Sequence, residues 1–378
     1  PKAGRFGGEL VYAGKPEDVY QSDSLTAQYL SGSKVIALPE SRRTALKHIA
    51  LKGASQFDLK NIDIKIPLKS LTVVVGVSGS GKTTLIKKVL YPALQQLLEG
   101  HGEKPGEHES LGGDLTSIKH VELIDQNPLG RSSRSNAVTY TKSYDYIRDL
   151  FAKQQMSKIR GFKAKEFSFN VEGGRCETCK GEGSVVVEMQ FLADVELECE
   201  SCKGKRFKDE VLEVKFREKT IYDVLEMSIE ESLIFFEDQK EIVSRIQALD
   251  DVGLGYIKLG QSSSTLSGGE AQRLKLASFL TKAQKPEPIL FIFDEPTTGL
   301  HFDDVNKLMS AFYALIAIGH TVVVIEHHPD VMKCADWLIE LGPVGGVDGG
   351  YKIYEGPPEG LLSATNSPTS AFLKQKLN

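Results

Sequence analysis

Ser70-Leu71-Thr72-Val73-Val74-Val75-Gly76-Val77-Ser78-Gly79-Ser80-Gly81-Lys82-Thr83-Thr84 is the stretch that decides the fold of this 378-residue chain. Ser70 to Val75 is β-branched and has no helical period, so it reads as a buried strand. Thr84 to Glu99 reads as a helix. Gly76 to Thr83 between them has the spacing G-x-x-x-x-G-K-[ST]. The glycines Gly76, Gly79 and Gly81 let backbone N–H groups converge on phosphate oxygens, and the helix adds its positive N-terminal end. Lys82 is expected to reach the β and γ phosphates of ATP, and the Thr83 hydroxyl to ligate Mg²⁺. Ser78, Ser80 and Thr84 complete the expected cradle. A Gly/Ser loop with no ligand is the bland alternative, which the strand–loop–helix setting disfavours.

Working outward, Ala45 to Pro67 alternates polar and apolar residues and reads as antiparallel strands. Residues 101–114 are Gly/Pro-rich and read as a surface loop. Further buried strands are expected at His120–Asp125, Ile289–Asp294 and Thr321–Glu326, with helical segments between them. The expected fold is α/β: a phosphate-loop nucleotide-binding domain with a mainly parallel sheet and an inserted helical, zinc-hairpin domain. Asp294 and Glu295 close one strand and have different expected tasks. Asp294 is placed to hold Mg²⁺ through water, and Glu295 to polarise the attacking water. His327 follows the next strand, within expected reach of the γ-phosphate, whereas His328 reads as bland. Gln126 follows Asp125 and is expected to touch Mg²⁺ and sense the γ-phosphate. Leu266-Ser267-Gly268-Gly269-Glu270 forms a second nucleotide signature about 180 residues after the loop.

Between the two signatures lie Cys176-x-x-Cys179 and Cys199-x-x-Cys202, with nineteen residues separating the pairs. That spacing, with Lys180-Gly181 and Lys203-Gly204 behind the second cysteines, is that of a closed, structural four-cysteine Zn²⁺ site. Val185 to Phe191 and Val195 to Glu198 alternate, with a turn expected near Ala193-Asp194, and read as a hairpin on a metal base. Cys334 is left over and reads as a buried small hydrophobe. Net charge is −5, but its distribution is uneven. Gln126 to Asn170 holds nine Lys/Arg against three acids, residues 171–202 hold two against eight, and Lys203, Lys205, Arg206 and Lys208 follow. Such clustering suits an anionic partner, or else a solvated surface.

No apolar run approaches the roughly 20 residues that span a bilayer, and paired cysteines favour metal over disulfides, so the expected compartment is the cytoplasm. The chain opens Pro1-Lys2 without Met and is expected to be a piece of a longer protein. Its ends echo each other: Gly7–Glu17 aligns with Gly349–Glu359, and Ser24–Leu30 with Ser367–Leu373. The expected organisation is therefore a tail of a preceding cassette at 1–38 and a first core segment at 39–126. An insert follows at 127–256, with the zinc module at about 172–210, and a second core segment at 257–378.

The phosphate loop, Gln126, Leu266–Glu270, Asp294-Glu295-Pro296 and His327 together resemble the ABC ATPase superfamily. Within it, Asp125–Asn136, Phe167–Cys176, Leu266–Ala277 and Phe293–Asp304 resemble the UvrA lineage over practically the whole chain, as a C-terminal half. The resemblance implies a DNA-damage-recognition subunit of bacterial nucleotide excision repair. Such a subunit is expected to bind ATP, to act as a homodimer of the two-cassette parent on damaged duplex DNA without sequence preference, and to load UvrB through the missing first half. It also implies that Ser267, Gly268, Gly269 and Glu270 serve the nucleotide of an opposing cassette. Arg131, Arg134, Lys163, Lys165, Lys203, Lys205 and Arg206 are the side chains expected near phosphates. Thr83 stands where the family commonly has Ser, and His328-Pro329 where it has Asn-Leu. Three alternatives stay open: a transporter ATPase, which would lack the cysteine insert; a UvrA-like paralogue for drug self-protection; and a nucleotide- and DNA-binding module with negligible hydrolysis.

Overall fold

The structure is a computed structural model that describes residues 7–126, 135–187, 195–281 and 287–377. The chain divides into two compact units, one built from Glu9–Gln126 with Lys282–Asn378, the other from Asn127–Thr281.

The first unit carries strands β1 (His48–Ala54), β2 (Ile62–Pro67), β3 (Leu71–Gly76), β4 (Ser110–Gly113) and β5 (His120–Ile124) before the insert. After it come β8 (Ile289–Asp294), β9 (Thr321–Ile325), β10 (Trp337–Gly342) and β11 (Tyr351–Gly356), with β6 (Ser184–Val187) and β7 (Val195–Glu198) lying in the insert. Six strands form one sheet in the order β11-β10-β3-β9-β8-β5, parallel except for β11. Every residue of β3 and β9 is buried, which is why those runs are continuously apolar instead of alternating. Strands β2-β1-β4 form a separate antiparallel sheet, and β1 and β2 bury alternate residues as expected.

One core joins these layers. Ile49, Leu51, Ile62, Ile64 and Ile66 of the antiparallel sheet share it with Leu85, Ile86, Val89 and Leu90 behind the phosphate loop. Val74, Ile292, Ile325 and Ile339 of the parallel sheet join them. At about 1.5–3 kcal/mol for each fully buried side chain of this size, the contact fixes the loop helix between the two sheets. That helix winds in π fashion over Thr84–Leu90 and continues as Tyr91–Glu99. Pro92 has no N–H to donate to the Lys88 carbonyl, which accepts from Gly106 instead at 2.8 Å. Residues 110–113 are not loop, as expected, but strand: β4 pairs with the open edge of β1 from Ile49↔Gly113 to Lys52↔Ser110. The unsatisfied backbone of an edge strand recruits a partner that local propensity would not predict.

The second unit is mainly helical, with the hairpin β6–β7 on the cysteine module. Its helix Gly268–Leu280 packs against Lys240–Asp251 and Ala137–Tyr140. Arg273 Nη1 also donates to the Gly253 carbonyl at 2.9 Å. The boundary expected at 256 therefore falls after Thr281 instead, because the signature helix buries its face within the insert. Among the described residues no helix is long and apolar enough to cross a membrane.

Candidate functional site

The C-terminal ends of four adjacent parallel strands carry the expected nucleotide chemistry. β3 ends in Gly76, β9 leads into Glu326-His327, β8 ends in Asp294, and β5 leads into Asp125-Gln126. Parallel registry holds these ends level, with Asp294 beside Ile325 and Ile124 beside Phe293.

At the loop, Gly76 takes φ 140°, and a Cβ there would lie 2.1 Å from the Leu341 carbonyl oxygen, so only glycine fits. Lys82 is buried, and its ammonium donates to the carbonyls of Gly76 at 3.0 Å and Val77 at 2.8 Å. Burial lowers its pKa, opposed by the charges of Glu295 and Asp294. Gly79, Gly81, Lys82, Thr83 and Thr84 line a depression of about 150 Å³ with Asp58 and Leu59. Ser78 lies on the same loop, and the Ser80 hydroxyl is buried with no hydrogen-bond partner. A cavity with a cation beside glycine N–H groups fits a phosphate chain.

Asp294 does not stand alone beside it. Lys87, one helical turn beyond the loop, places its ammonium 3.0 Å from Asp294 Oδ2 and 3.5 Å from Asp125 Oδ2. Burial works against that charge, but the hydrogen bonds and charges of both carboxylates outweigh it and raise the Lys87 pKa. Asp294, the acid expected to face Mg²⁺, is thus gathered with Asp125 around an internal cation. A divalent ion at this spot would need oxygen ligands, which the Asp294 carboxylate fits.

Glu295 adopts φ 47°, a left-handed conformation unusual for a residue with Cβ. Its carboxylate lies 3.5 Å from His327 Nε2, and Gln126 Nε2 donates to its carbonyl at 3.2 Å. The three residues expected to act on water and γ-phosphate therefore meet. Glu326, unassigned from sequence, is the support beneath them. It is buried, and its carboxylate accepts from Thr297 N (2.9 Å), Thr297 Oγ1 (2.5 Å), His327 N (2.7 Å) and His328 N (3.0 Å). Its place at the end of an apolar strand, just before His327, was the available signal; that of Lys87 was its position five residues after Lys82.

In the second unit, Ser267 caps the helix Gly268–Leu280 and forms a capping box with Glu270. Glu270 also accepts from Tyr256 Oη at 2.5 Å, so both its oxygens serve local structure. Burial would raise its pKa, but these hydrogen bonds lower it overall. Ser267, Gly268 and Gly269 stand at a helix start, where N–H groups are free of intrahelical partners.

The four cysteines converge, all buried, with sulfurs within 4.8 Å of one another. Cys176 and Cys199 Sγ are 3.9 Å apart, and Cys179 and Cys202 Sγ 3.6 Å. A tetrahedron of Zn–S bonds of about 2.3 Å separates its sulfurs by about 3.8 Å, so the cluster fits Zn²⁺ with no open position. Gly181 permits this knuckle, since a Cβ at its φ of 89° would sit 2.0 Å from the Phe169 carbonyl oxygen. The Gly183 N–H turns onto Cys179 Sγ at 3.3 Å. Burial pushes the Cys202 thiol up to about 12. At Cys176 burial is outweighed by hydrogen bonds from Cys179, Ser201 and Cys202, which bring the thiol down to about 6.

The residues expected near DNA are less uniform. Arg131 and Arg134 lie outside the described residues, as do the turn near Ala193-Asp194 and residues 188–191 of the expected strand. Lys163, Lys165, Lys203 and Lys205 are exposed. Lys165 lies 3.5 Å from Glu166. Arg206 is half-buried, with its guanidinium 5.9 Å from the Phe169 ring centre, and is partly committed to the module. Apart from Ser184, both strands of the β6–β7 hairpin are exposed on both faces.

No family model matches the chain. It is 49% identical over 379 residues to UvrABC system protein A of Clostridium acetobutylicum, covering 100% of this chain and 40% of that protein. It is 52% identical over 375 residues to UvrABC system protein A of Thermus thermophilus, covering 99% of this chain and 39% of that protein. A crystal structure of UvrA2 from Deinococcus radiodurans superposes with a TM-score of 0.90 at 42% identity, covering 100% of this chain and 45% of that one. The chain thus spans about two fifths of the length of its curated relatives. With likeness of this degree running end to end through both signatures and the cysteine insert, the chain belongs to the UvrA family of the ABC ATPase superfamily.

Proposed function

We propose that this chain is the second nucleotide-binding half of a DNA-damage-recognition ATPase of nucleotide excision repair. The observation that carries the ATPase reading is the meeting of Gln126, Glu295 and His327 at strand ends next to the Lys82 loop. In that reading Lys82, the loop N–H groups and Thr83 hold the phosphates, and Asp294 faces Mg²⁺, which supplies charge neutralisation at the β and γ oxygens. Glu295 takes a proton from water, and His327 and Gln126 orient the γ-phosphate. Ser267-Gly268-Gly269 serves the nucleotide of the other cassette, so turnover needs two cassettes. Residues 1–38 are then the tail of the first.

The insert binds the backbone of duplex DNA, without sequence preference, through Lys163, Lys165, Lys203, Lys205 and Arg206, and Arg131 and Arg134 belong to the same proposed set. Exposed cations and the four-cysteine base beside them in sequence support this part. Zn²⁺ here is structural. The name shared by the relatives supports a partnership with UvrB, made through the half this chain lacks, and a homodimer of the two-cassette protein in the cytoplasm.

Turnover per site at saturating ATP tests the two-cassette mechanism, comparing this chain at dilutions where it is monomeric with the two-cassette protein. Loss of one set of γ-phosphate donors should slow the isolated chain by roughly 100-fold or more. Equal rates would mean that one chain completes its own site, and the mechanism would fall. For the insert, duplex affinity should drop as salt rises and be indifferent to sequence.

A further inference from the structure

The N-terminal segment meets the rest of the nucleotide unit through one helix and the residues that follow it, with Cys334 Sγ donating to the Ala37 carbonyl at 3.4 Å. Its helix Leu25–Ser31 lies on the helix Phe302–Ala317. The Tyr29 ring stacks on Phe302 with centroids 5.5 Å apart and meets His301 edge-on at 5.9 Å. Its hydroxyl donates to Asp303 Oδ1 at 3.1 Å, and Lys34 Nζ reaches the same oxygen at 2.5 Å. Thr26 Oγ1 lies 3.0 Å from His301 Nε2. His301 follows Glu295 by six residues, so the segment grips the chain just downstream of the carboxylate assigned to the water.

The repeat between the chain ends pairs Tyr29 with Phe372 and Leu30 with Leu373. The two copies bury opposite faces. Leu373 is 0% exposed, and its helix Ser370–Leu377 packs on Pro329–Cys334 of the same unit. Lys376 Nζ there lies 3.0 Å from Asp330 Oδ2. Phe372 is 64% exposed. In the N-terminal copy the pattern is inverted: Leu30 is 48% exposed, while Tyr29 is docked on Phe302. Each copy leaves exposed the position that the other copy covers, Leu373 fully and Tyr29 in part.

We infer that Phe372 docks on the other cassette of the two-cassette protein, at the start of the helix that follows its Asp-Glu-Pro, as Tyr29 docks here. The inference rests on the two-cassette reading above. The tail helix has two faces: a leucine face held by its own cassette and an aromatic face held by its neighbour. Phe372 has no hydroxyl, so its contact is carried by ring stacking and apolar area without the Asp303-type anchor. A second copy of this chain is the poorer occupant, because its own Phe302 is already covered by Tyr29. Two reciprocal tails would each hold the residues downstream of the other site's glutamate, so a nucleotide-driven shift in one cassette is felt at the other.

The test uses the two-cassette protein with photoreactive benzoylphenylalanine at position 372, at position 29, or at exposed Lys374 as a control. Position 372 should link to the helix start after Asp-Glu-Pro in the other cassette, position 29 to Phe302 and its neighbours, and position 374 to neither. Phe372→Ala should lower turnover about 2- to 30-fold with nucleotide affinity unchanged, the range found for coupling residues away from both ligands. The proposal is overturned if position 29 links as expected while 372 links to nothing, to its own cassette, or to a second copy in a concentration-dependent way. It falls equally if position 29 fails to reach Phe302, since the docked pair is its pattern. Nucleotide binding on the same samples separates the two readings. Absent binding refutes the ATPase assignment, whereas the crosslink map alone decides the fate of Phe372.

Discussion

Replacing Glu326 by Gln should destabilise the nucleotide unit far more than a change of one atom implies. The carboxylate is 3% exposed and accepts four hydrogen bonds, two at each oxygen, from Thr297 and from the backbones of His327 and His328. An amide has one acceptor oxygen and one NH₂ group, so two of those donors must face hydrogens whichever way it turns. Bonds to a charged acceptor contribute about 1.5–3 kcal/mol each, and buried N–H groups left unpaired add to the loss. Removing a buried charge returns part of this through relief of desolvation. The expected net cost is therefore about 2–5 kcal/mol. Trp337, the sole tryptophan, lies on β10 of the same sheet and reports urea unfolding by its fluorescence. Because Thr297 and His327 flank the water-handling residues, the variant should also lose turnover while retaining ATP affinity. A Glu326→Gln midpoint equivalent to less than about 0.5 kcal/mol from wild type would refute the reasoning, since surface changes alone produce that much.

Freshly purified, reduced protein should carry about one Zn²⁺ per chain, and Cys199→Ser should lose it, as metal analysis will show. Lys82→Ala should abolish tight ATP binding, because its ammonium neutralises phosphate charge in ground and transition states alike. Glu295→Gln should keep binding and lose turnover in the two-cassette protein; equal loss of affinity in both variants would reverse the assigned roles. Stability of the nucleotide unit should fall as the solution is acidified from about pH 7 to 5. Burial lowers the His320 pKa, and at His328 burial outweighs the opposing charges of Asp330 and Glu326. The unfolded chain therefore protonates first, so the stability these imidazoles contribute is complete above about 6.5 and is lost below it. His320 Nδ1 also accepts from the Ile289 N–H at 3.1 Å, a bond that protonation removes. Unfolding midpoints of a His320→Asn, His328→Asn variant should show a flatter acid limb.

Patterned, local features of this chain were legible before any coordinates. The apolar run before Gly76, the glycine spacing behind it and the paired cysteines each determine geometry over a few residues, and the structure places them as read. The parallel strands ending at Asp294 and before His327 were legible for the same reason: continuous burial on both faces leaves an unbroken apolar run. What depended on partners distant in sequence was not legible. Ser110–Gly113 became a strand because β1 offered it an open edge. The signature helix joined the insert because its apolar face found Lys240–Asp251 there. Lys87 reads as one more surface lysine until the fold sets Asp125 and Asp294 on either side of it. Glu326 acquires its task only where four donors from two loops converge on one buried carboxylate. A sequence writes down which groups a chain has, but the energy of a buried charge is set by what surrounds it, and only the tertiary structure decides that.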